Sequence, residues 1–334
     1  MNALSIGDLA QGFVGRSRSV EIKTRIATLT RELSTGRVQD VRTRIGSDFS
    51  YLAAISRDLT TLDAYDLVSR EAEVFLTQKQ AALSGLEGIM SDASSLLSST
   101  LLSPTNRALD LAGKQAKAFL ETATAFLNGT TAGRQIFSGA ATDSVSVSPA
   151  ENLLNSILAE VSGLATTSDI VTAVDNWFED PAGYLATHYG GSSQTLGAFQ
   201  VADNVSLRSD ISAADPALRD VLRNLALIVV STDPGLSLSN VTQTGLMDAA
   251  RSGALQTSDD LVALQAETGF TQSRLDQART RNEAQRMGME LALNSIQKAD
   301  PYETAIKLEE AQFQLESLFA VTARSARLSL LNHI

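Results

Sequence analysis

The sequence predicts a mainly α fold: a long antiparallel helical rod, coiled-coil in character and built from both ends of the chain, with a small mixed α/β head inserted between them. Three observations carry this reading. Ile55, Leu62, Ser69, Leu76, Leu83, Met90 and Leu97 recur at every seventh position of a stretch without proline. Leu261, Leu264, Thr268, Thr271, Leu275, Ala278, Asn282, Gln285, Met289, Ala292 and Ile296 hold steps of three and four. Between these stretches lie Pro149, Pro181, Pro216 and Pro234, the sole tryptophan Trp177, and the flexible run Gly190-Gly191-Ser192-Ser193. The chain has 334 residues, enough for two or three domains, since single cores stop growing near roughly 250–300 residues.

Residues 1–35 read as a first helical arm. Ile6, Phe13 and Val20 are seven apart, and Ile22, Ile26, Leu29 and Leu33 follow at steps of three and four, so the helical period persists while its register changes. Gly12 and Gly15 each cost about 1 kcal/mol relative to alanine inside a helix, which makes the arm marginal by itself. Gly36 suits a C-cap, and residues 37–48 read as an irregular connector. A helix of about 50 residues, roughly 75–80 Å long, then runs from Ser47 to Thr100, with Leu52, Leu59, Leu86 and Ala93 flanking its seam. Ser103-Pro104-Thr105-Asn106 breaks it and Asn106 is placed to cap the next helix. Leu109, Ala116, Leu120, Ala123 and Leu127 mark that helix, which ends near Asn128-Gly129.

In the head, residues 151–164, 168–178 and 215–230 read as helices, while Phe199-Gln200-Val201 and Val205-Ser206-Leu207-Arg208 alternate as short strands do. The rod resumes after Gly253, and the polar Asn282 and Gln285 in its seam set register. A last helix starts at Asp300, with Pro301 in its first turn and Glu303 at a capping-box position. Its stripe of Leu308, Ala311, Leu315, Leu318 and Thr322 is widened by Phe319, Val321, Leu328 and Leu331. So apolar a helix must pack on something: the first arm, or equivalent helices of adjoining copies. The expected division is residues 1–46 plus 300–334 as terminal assembly arms, 47–139 plus 251–299 as rod, and 140–250 as head. The expected assembly interface comprises Ile6, Phe13, Val20, Ile26, Leu29 and Leu33 from the first arm, with Leu308, Leu315, Leu318, Phe319, Leu328 and Leu331 from the last.

Composition excludes several functions. Net charge is −11, with 8 basic against 4 acidic residues in 1–45, 8 against 8 in 271–334, and 11 against 26 in 46–270. An acidic middle without basic runs or interleaved aromatics argues against nucleic acid as a partner. There is no cysteine, which rules out disulfides, thiolate metal sites and cysteine nucleophiles. The N-terminus lacks a basic region followed by an apolar run, and no stretch nears the roughly 20 apolar residues of a membrane span, so neither membrane insertion nor a cleaved signal is expected.

Chemistry is equally sparse. His188 and His333 are the only histidines, too few for a three-histidine metal site, and both read as surface residues. GxxxxGK[ST], GxGxxG and GxSxG motifs are absent. Asp58, Asp63 and Asp66, and the pair Asp259 and Asp260, read as solvated helix faces rather than catalytic carboxylates. Asn128-Gly-Thr, Asn204-Val-Ser and Asn240-Val-Thr match the glycosylation pattern at the rate expected of a Ser/Thr-rich chain. No catalytic or metal residue and no cofactor is expected: the residues describe an assembly subunit.

Leu29-Thr-Arg-Glu-Leu33-Ser34-Thr35-Gly36-Arg37-Val38, followed by Ile45-Gly-Ser-Asp48 and Ile55, resembles the N-terminal region of bacterial flagellins and their relatives. Leu315 to Leu331 is similar to the matching C-terminal region. Gly133-Arg-Gln-Ile136-Phe137-Ser138-Gly139 with Thr142-Asp143 looks most like the hook-filament junction branch of that superfamily (hook-associated protein 3), as does Ala213 to Leu225. The segment Gly46-Ser47-Asp48-Phe49-Ser50 departs from the paired acids of many flagellins. The resemblance implies a non-enzymatic flagellar subunit, exported unfolded from the cytoplasm by the type III apparatus and joining hook to filament outside the cell. Its implied partners are like subunits in a ring, hook-associated protein 1, flagellin and a flagellar export chaperone. A divergent flagellin and an intracellular coiled-coil adaptor are the alternatives; an enzyme in 140–250 has no nucleophile, base and metal set to support it.

Overall fold

The computed structural model describes residues 6–41 and 49–331, with side chains over 12–41 and 49–324. It is mainly α. The described helices are α1 (Ile6–Thr35), α2 (Ser50–Leu102), α3 (Asn106–Leu127), α4 (Ala150–Glu160), α5 (Thr167–Glu179), α6 (Tyr184–Thr187), α7 (Pro216–Ser231), α8 (Asn240–Gln297) and α9 (Pro301–Leu331). Two antiparallel hairpins, β1 (Thr130–Thr131) with β2 (Arg134–Gln135) and β3 (Phe199–Ala202) with β4 (Val205–Leu207), complete the description. Contacts divide the chain into a unit of Met1–Thr61 with Ala284–Ile334 and a unit of Leu62–Glu283, the divisions falling inside α2 and α8.

The predicted seam of α2 is the buried one: Ile55, Leu62, Ser69, Leu76, Leu83, Met90 and Leu97 are all buried. Up to Ser69 burial follows a single stripe. From Ala72 onward it doubles, adding Phe75, Lys79, Ala82, Leu86, Ile89 and Ala93. The widening marks where helices of the larger unit cover a second face of α2.

Within that unit α7 is the central element. Val221, Leu222, Leu225, Ala226, Ile228 and Val230 are fully buried, and the helix packs against α3, α4 and α5. Its apolar run lacks a polar face because neighbours surround it. The α3 side meets it through small residues, Ala112, Gly113 and Ala116, which let the two backbones approach closely. A Cβ on Gly113 would lie 1.8 Å from Thr232 Oγ1 just beyond α7. Asp215 Oδ1 accepts from Ala217 N at 3.0 Å and caps α7 ahead of Pro216 at the first turn.

Three local expectations change. Thr105, not Asn106, caps α3, its side chain accepting from Ala108 N at 3.2 Å. Helix α8 begins at Asn240 rather than after Gly253: the Ser239 hydroxyl accepts from Thr242 N at 3.1 Å, and burial of Leu246, Met247 and Ala250 holds the added turns. The β1–β2 hairpin was not anticipated. Its two-residue loop, Ala132-Gly133, has positive φ at both positions (50° and 77°), the twist a tight hairpin needs.

Buried polar side chains fasten the irregular backbone. Lys79 is 1% exposed; its Nζ donates to Ile211 O at 2.7 Å and Ser209 Oγ at 2.9 Å and lies over the rings of Phe75 and Phe137. Asn282 Nδ2 donates to Val201 O at 2.8 Å, so this seam residue holds strand β3 against α8, whereas Gln285 is exposed. Asn128 exchanges two 2.8 Å bonds with the backbone of Val147. Each removes the cost of an unpaired buried group.

Two outcomes follow from this packing. Gly113→Ala should destabilise the larger unit by about 1–3 kcal/mol through overpacking against Thr232, read as a lowered Tm, while alanine at the open helical Gly269 should not lower it. Burial depresses the Lys79 pKa to about 7, against the raising influence of Asp210 and Glu267. Between about pH 7 and the ordinary lysine range near 10.5 the unfolded chain therefore binds more protons, and this group makes stability rise with pH. Urea unfolding of Lys79→Met across that interval should lose this rise; an unchanged slope refutes the assignment.

Candidate assembly interface

Helices α1 and α9 pack together as an antiparallel pair within the smaller unit. Their ends meet where α1 stops: Gly36 adopts φ 67°, its carbonyl accepts from Ala299 N at 2.9 Å, and Val38 N donates to Gln297 O at 2.8 Å. Asp300 then caps α9, Oδ1 accepting from Tyr302 N at 2.9 Å and Glu303 N at 3.2 Å. Glu303 turns outward to Lys307 Nζ at 2.7 Å rather than completing a capping box.

The seam between them has a heptad-like period. On α1 the less exposed positions are Gly15, Ser19, Ile22, Ile26 and Leu29; on α9 they are Thr304, Leu308, Ala311, Leu315 and Leu318. Near the far end of the pair, Thr322 Cγ2 lies 3.7 Å from where a Gly15 Cβ would sit, so the glycine that weakens α1 as an isolated helix leaves room for its partner. Only Leu29, Thr304 and Ala311 in these sets are buried; the rest are intermediate, because two helices alone cannot cover each other.

The predicted interface residues therefore fall into two groups. Ile26, Leu29, Leu308, Leu315 and Leu318 line the in-chain seam. Phe13 (70% exposed), Val20 (65%), Leu33 (41%) and Phe319 (49%) face outward. Ile6, Leu328 and Leu331 lie on the same helices, with side chains outside those described. The register change read in α1 is thus two faces of one helix: the Phe13–Val20 series is exposed and the Ile22–Leu29 series is paired. Further outward apolar groups are Ile306, Phe313 and Val321. Phe313 falls outside the three-and-four stripe of α9, so a search for one stripe passes over it.

Charge differs between the two helices. The described side chains of α1 include Arg16, Arg18, Lys23, Arg25 and Arg31 against Glu21 and Glu32; those of α9 include Glu303, Glu309, Glu310 and Glu316 against Lys307 and Arg324. Lys23 Nζ sits 5.7 Å over the ring of Phe319, a contact across the pair. An open groove of about 530 Å³ runs beside the seam, lined by Arg18, Ile22, Arg25, Phe313, Leu318 and Val321 among others. Apolar side chains rimmed by charge on a thin helical pair form a surface suited to another helix.

Chemistry does not gather here. Among the described residues no cluster of histidine, aspartate and glutamate is arranged to hold a metal. His188 lies in the larger unit and, contrary to the sequence reading, is buried: it packs on Trp177 and its ring nitrogens contact Ser148 Oγ and Ser156 Oγ, the latter at 2.9 Å. Burial lowers its pKa, which favours the neutral ring. His333 lies outside the described residues.

Residues 254–334 match the family model described as the bacterial flagellin C-terminal helical region. No curated protein matches the chain in sequence. Among solved structures, Bacillus cereus FlgL superposes with a TM-score of 0.53 at 14% identity, covering 72% of this chain and 100% of the solved FlgL chain. A Vibrio parahaemolyticus structure described as a flagellar hook-associated protein gives 0.51 at 12% identity, covering 74% of this chain and 96% of its own. These matches are to structural proteins rather than enzymes. Residues 254–334 thus resemble the flagellin C-terminal helical region, on a chain that shares its fold with two flagellar proteins.

Proposed function

We propose that this chain is a hook-filament junction subunit, of the hook-associated protein 3 type, which joins hook-associated protein 1 to the flagellin filament and is exported unfolded with the help of a flagellar chaperone. Residues 1–46 with 300–334 serve as its assembly arms, 47–139 with 251–299 as its rod and 140–250 as its head. The observation that carries the reading is the flagellin C-terminal match over 254–334 on a chain whose fold is shared with Bacillus cereus FlgL. The α1–α9 pair supports it physically. Large apolar groups remain exposed on both helices, so neighbouring copies that cover them would couple ordering of the arms to assembly.

The matched family model also favours a second reading, a divergent filament flagellin. Abundance separates the two: a junction subunit is a trace component of sheared flagella and a flagellin dominates them. Under the junction reading, deletion should leave hooks in place while flagellin monomers appear in the medium; filaments of normal length in the deletion strain would defeat it.

Leu315→Asp and Leu318→Asp place a carboxylate in the half-buried α1–α9 seam and forfeit about 1.5–3 kcal/mol of burial each at full weight. Both should abolish incorporation into flagella while the unit of Leu62–Glu283 keeps its melting temperature. Incorporation at the unmutated level would argue against the arms as the assembly element.

A further inference from the structure

The sequence contains one Asn-Gly pair, Asn128-Gly129. In a flexible chain this is the linkage most prone to spontaneous loss of a side-chain amide, because glycine, without a Cβ, lets its backbone nitrogen approach the carboxamide carbon of the preceding residue. The fold places the pair at the end of α3, half-buried, and engages the groups that the reaction uses. Asn128 Nδ2 donates to Val147 O and Asn128 Oδ1 accepts from Val147 N, both at 2.8 Å. Gly129 N donates to Phe126 O at 3.1 Å, and Gly129 O accepts from Ile136 N at 3.1 Å. The carboxamide is thereby held on the fully buried Val147 and the glycine nitrogen on α3. Neither residue is readily exchanged for a less labile one. Pairing with the N–H and C=O of one residue needs a short side chain that both donates and accepts, which asparagine supplies and ionised aspartate does not. A Cβ on Gly129 would lie 3.1 Å from Phe126 O and 3.3 Å from Ile136 Cδ1, closer than side chains ordinarily sit.

We infer that Asn128 is a deamidation site that the folded chain masks, through its bridge to Val147, and the unfolded chain exposes. When the site opens, Gly129 N gives its proton to solvent base and attacks Asn128 Cγ. The Cγ–Nδ2 bond breaks, ammonia leaves with a proton returned from solvent, and a five-membered succinimide remains. Water then opens the ring at Cγ to give aspartate, or at the main-chain carbonyl to give isoaspartate. Either product loses the donor to Val147 O, leaving a buried acceptor unpaired. Aspartate sets a carboxylate against that carbonyl, and isoaspartate inserts an extra carbon into the main chain between α3 and β1. A chain held unfolded therefore loses the amide and afterwards cannot remake the bridge. Export in the unfolded state, as proposed above, would expose the site for as long as the chain waits; the chemistry itself does not rest on that reading.

The full-length chain, incubated in mildly alkaline buffer with and without guanidinium chloride, should lose the Asn128 amide roughly tenfold or more slower when folded, since reaction then waits on local opening. Mass spectrometry of the peptide containing Asn128 reads the loss. Hydroxylamine, which intercepts the succinimide, should cut the unfolded chain between Asn128 and Gly129 and spare the folded one. In guanidinium chloride, where the fold does not matter, Gly129→Ala should slow both the loss and the cleavage to the level of the other asparagines. Asn128→Asp, which makes one of the two products, should lower the Tm of the unit of Leu62–Glu283. Equal rates of loss in the folded and unfolded chain, or an Asn128→Asp chain that melts like wild type, would overturn the masking. An unfolded chain that hydroxylamine does not cut after Asn128 would remove the site itself. These outcomes leave the flagellar reading intact, because only a deletion strain with normal filaments defeats it.

Discussion

The seven-residue apolar repeat of α2 is the constraint on which the rest depends. A strict repeat keeps one face of a helix continuously apolar, and every member of the series from Ile55 to Leu97 is buried. In the larger unit that face becomes one wall of a core shared with α3, α7 and α8. Broadening of the stripe at Ala72 shows where packing changes from a single covered face to two. Beyond that point α2 can accommodate the shorter elements between residues 130 and 231, none of which has a long periodic face of its own.

Those shorter elements bury apolar side chains in the same core and are further fixed by specific polar contacts. Lys79, Asn282 and Asn128 reach from regular or capping positions to carbonyls of irregular backbone at Ile211, Val201 and Val147. A buried carbonyl without a donor costs about 1–3 kcal/mol, so each side chain favours one placement of its loop over alternatives with similar hydrophobic burial. Lys79 is the most demanding of the three, because desolvation opposes its charge even while two acceptors and two aromatic rings receive it. Gly113 and Gly253 do complementary work: neither leaves room for a Cβ against Thr232 or Asn224, and helices with larger residues there stand further apart.

The smaller unit obeys a different balance. Two helices joined along one seam leave most of their circumference in water, and the exposed aromatics Phe13 and Phe313 are the measure of that incompleteness. A chain that buried these groups internally would gain stability and lose an exposed apolar surface on both helices. Gly15 fits the same balance, weakening α1 as an independent helix while letting it close on Thr322.

Sequence by itself determined the long helices, because their signal is local and repeated: seven-residue spacing in α2, three-and-four steps in α8, the Asp300-Pro301 start of α9, and Gly36 at the end of α1. It also carried the flagellin-like resemblance, through short segments whose order along the chain could be read directly. Only the tertiary structure decided which of the two stripes on α1 is paired within the chain, since both have helical period and both are apolar; Ile22 and Ile26 meet α9, and Phe13 and Val20 do not. It likewise decided that His188 and Lys79 are buried, that Asn282 serves a strand rather than a helical partner, and that α8 begins at Asn240. These depend on contacts between residues tens to more than a hundred positions apart, and neither period nor propensity along a single segment encodes a partner at that distance.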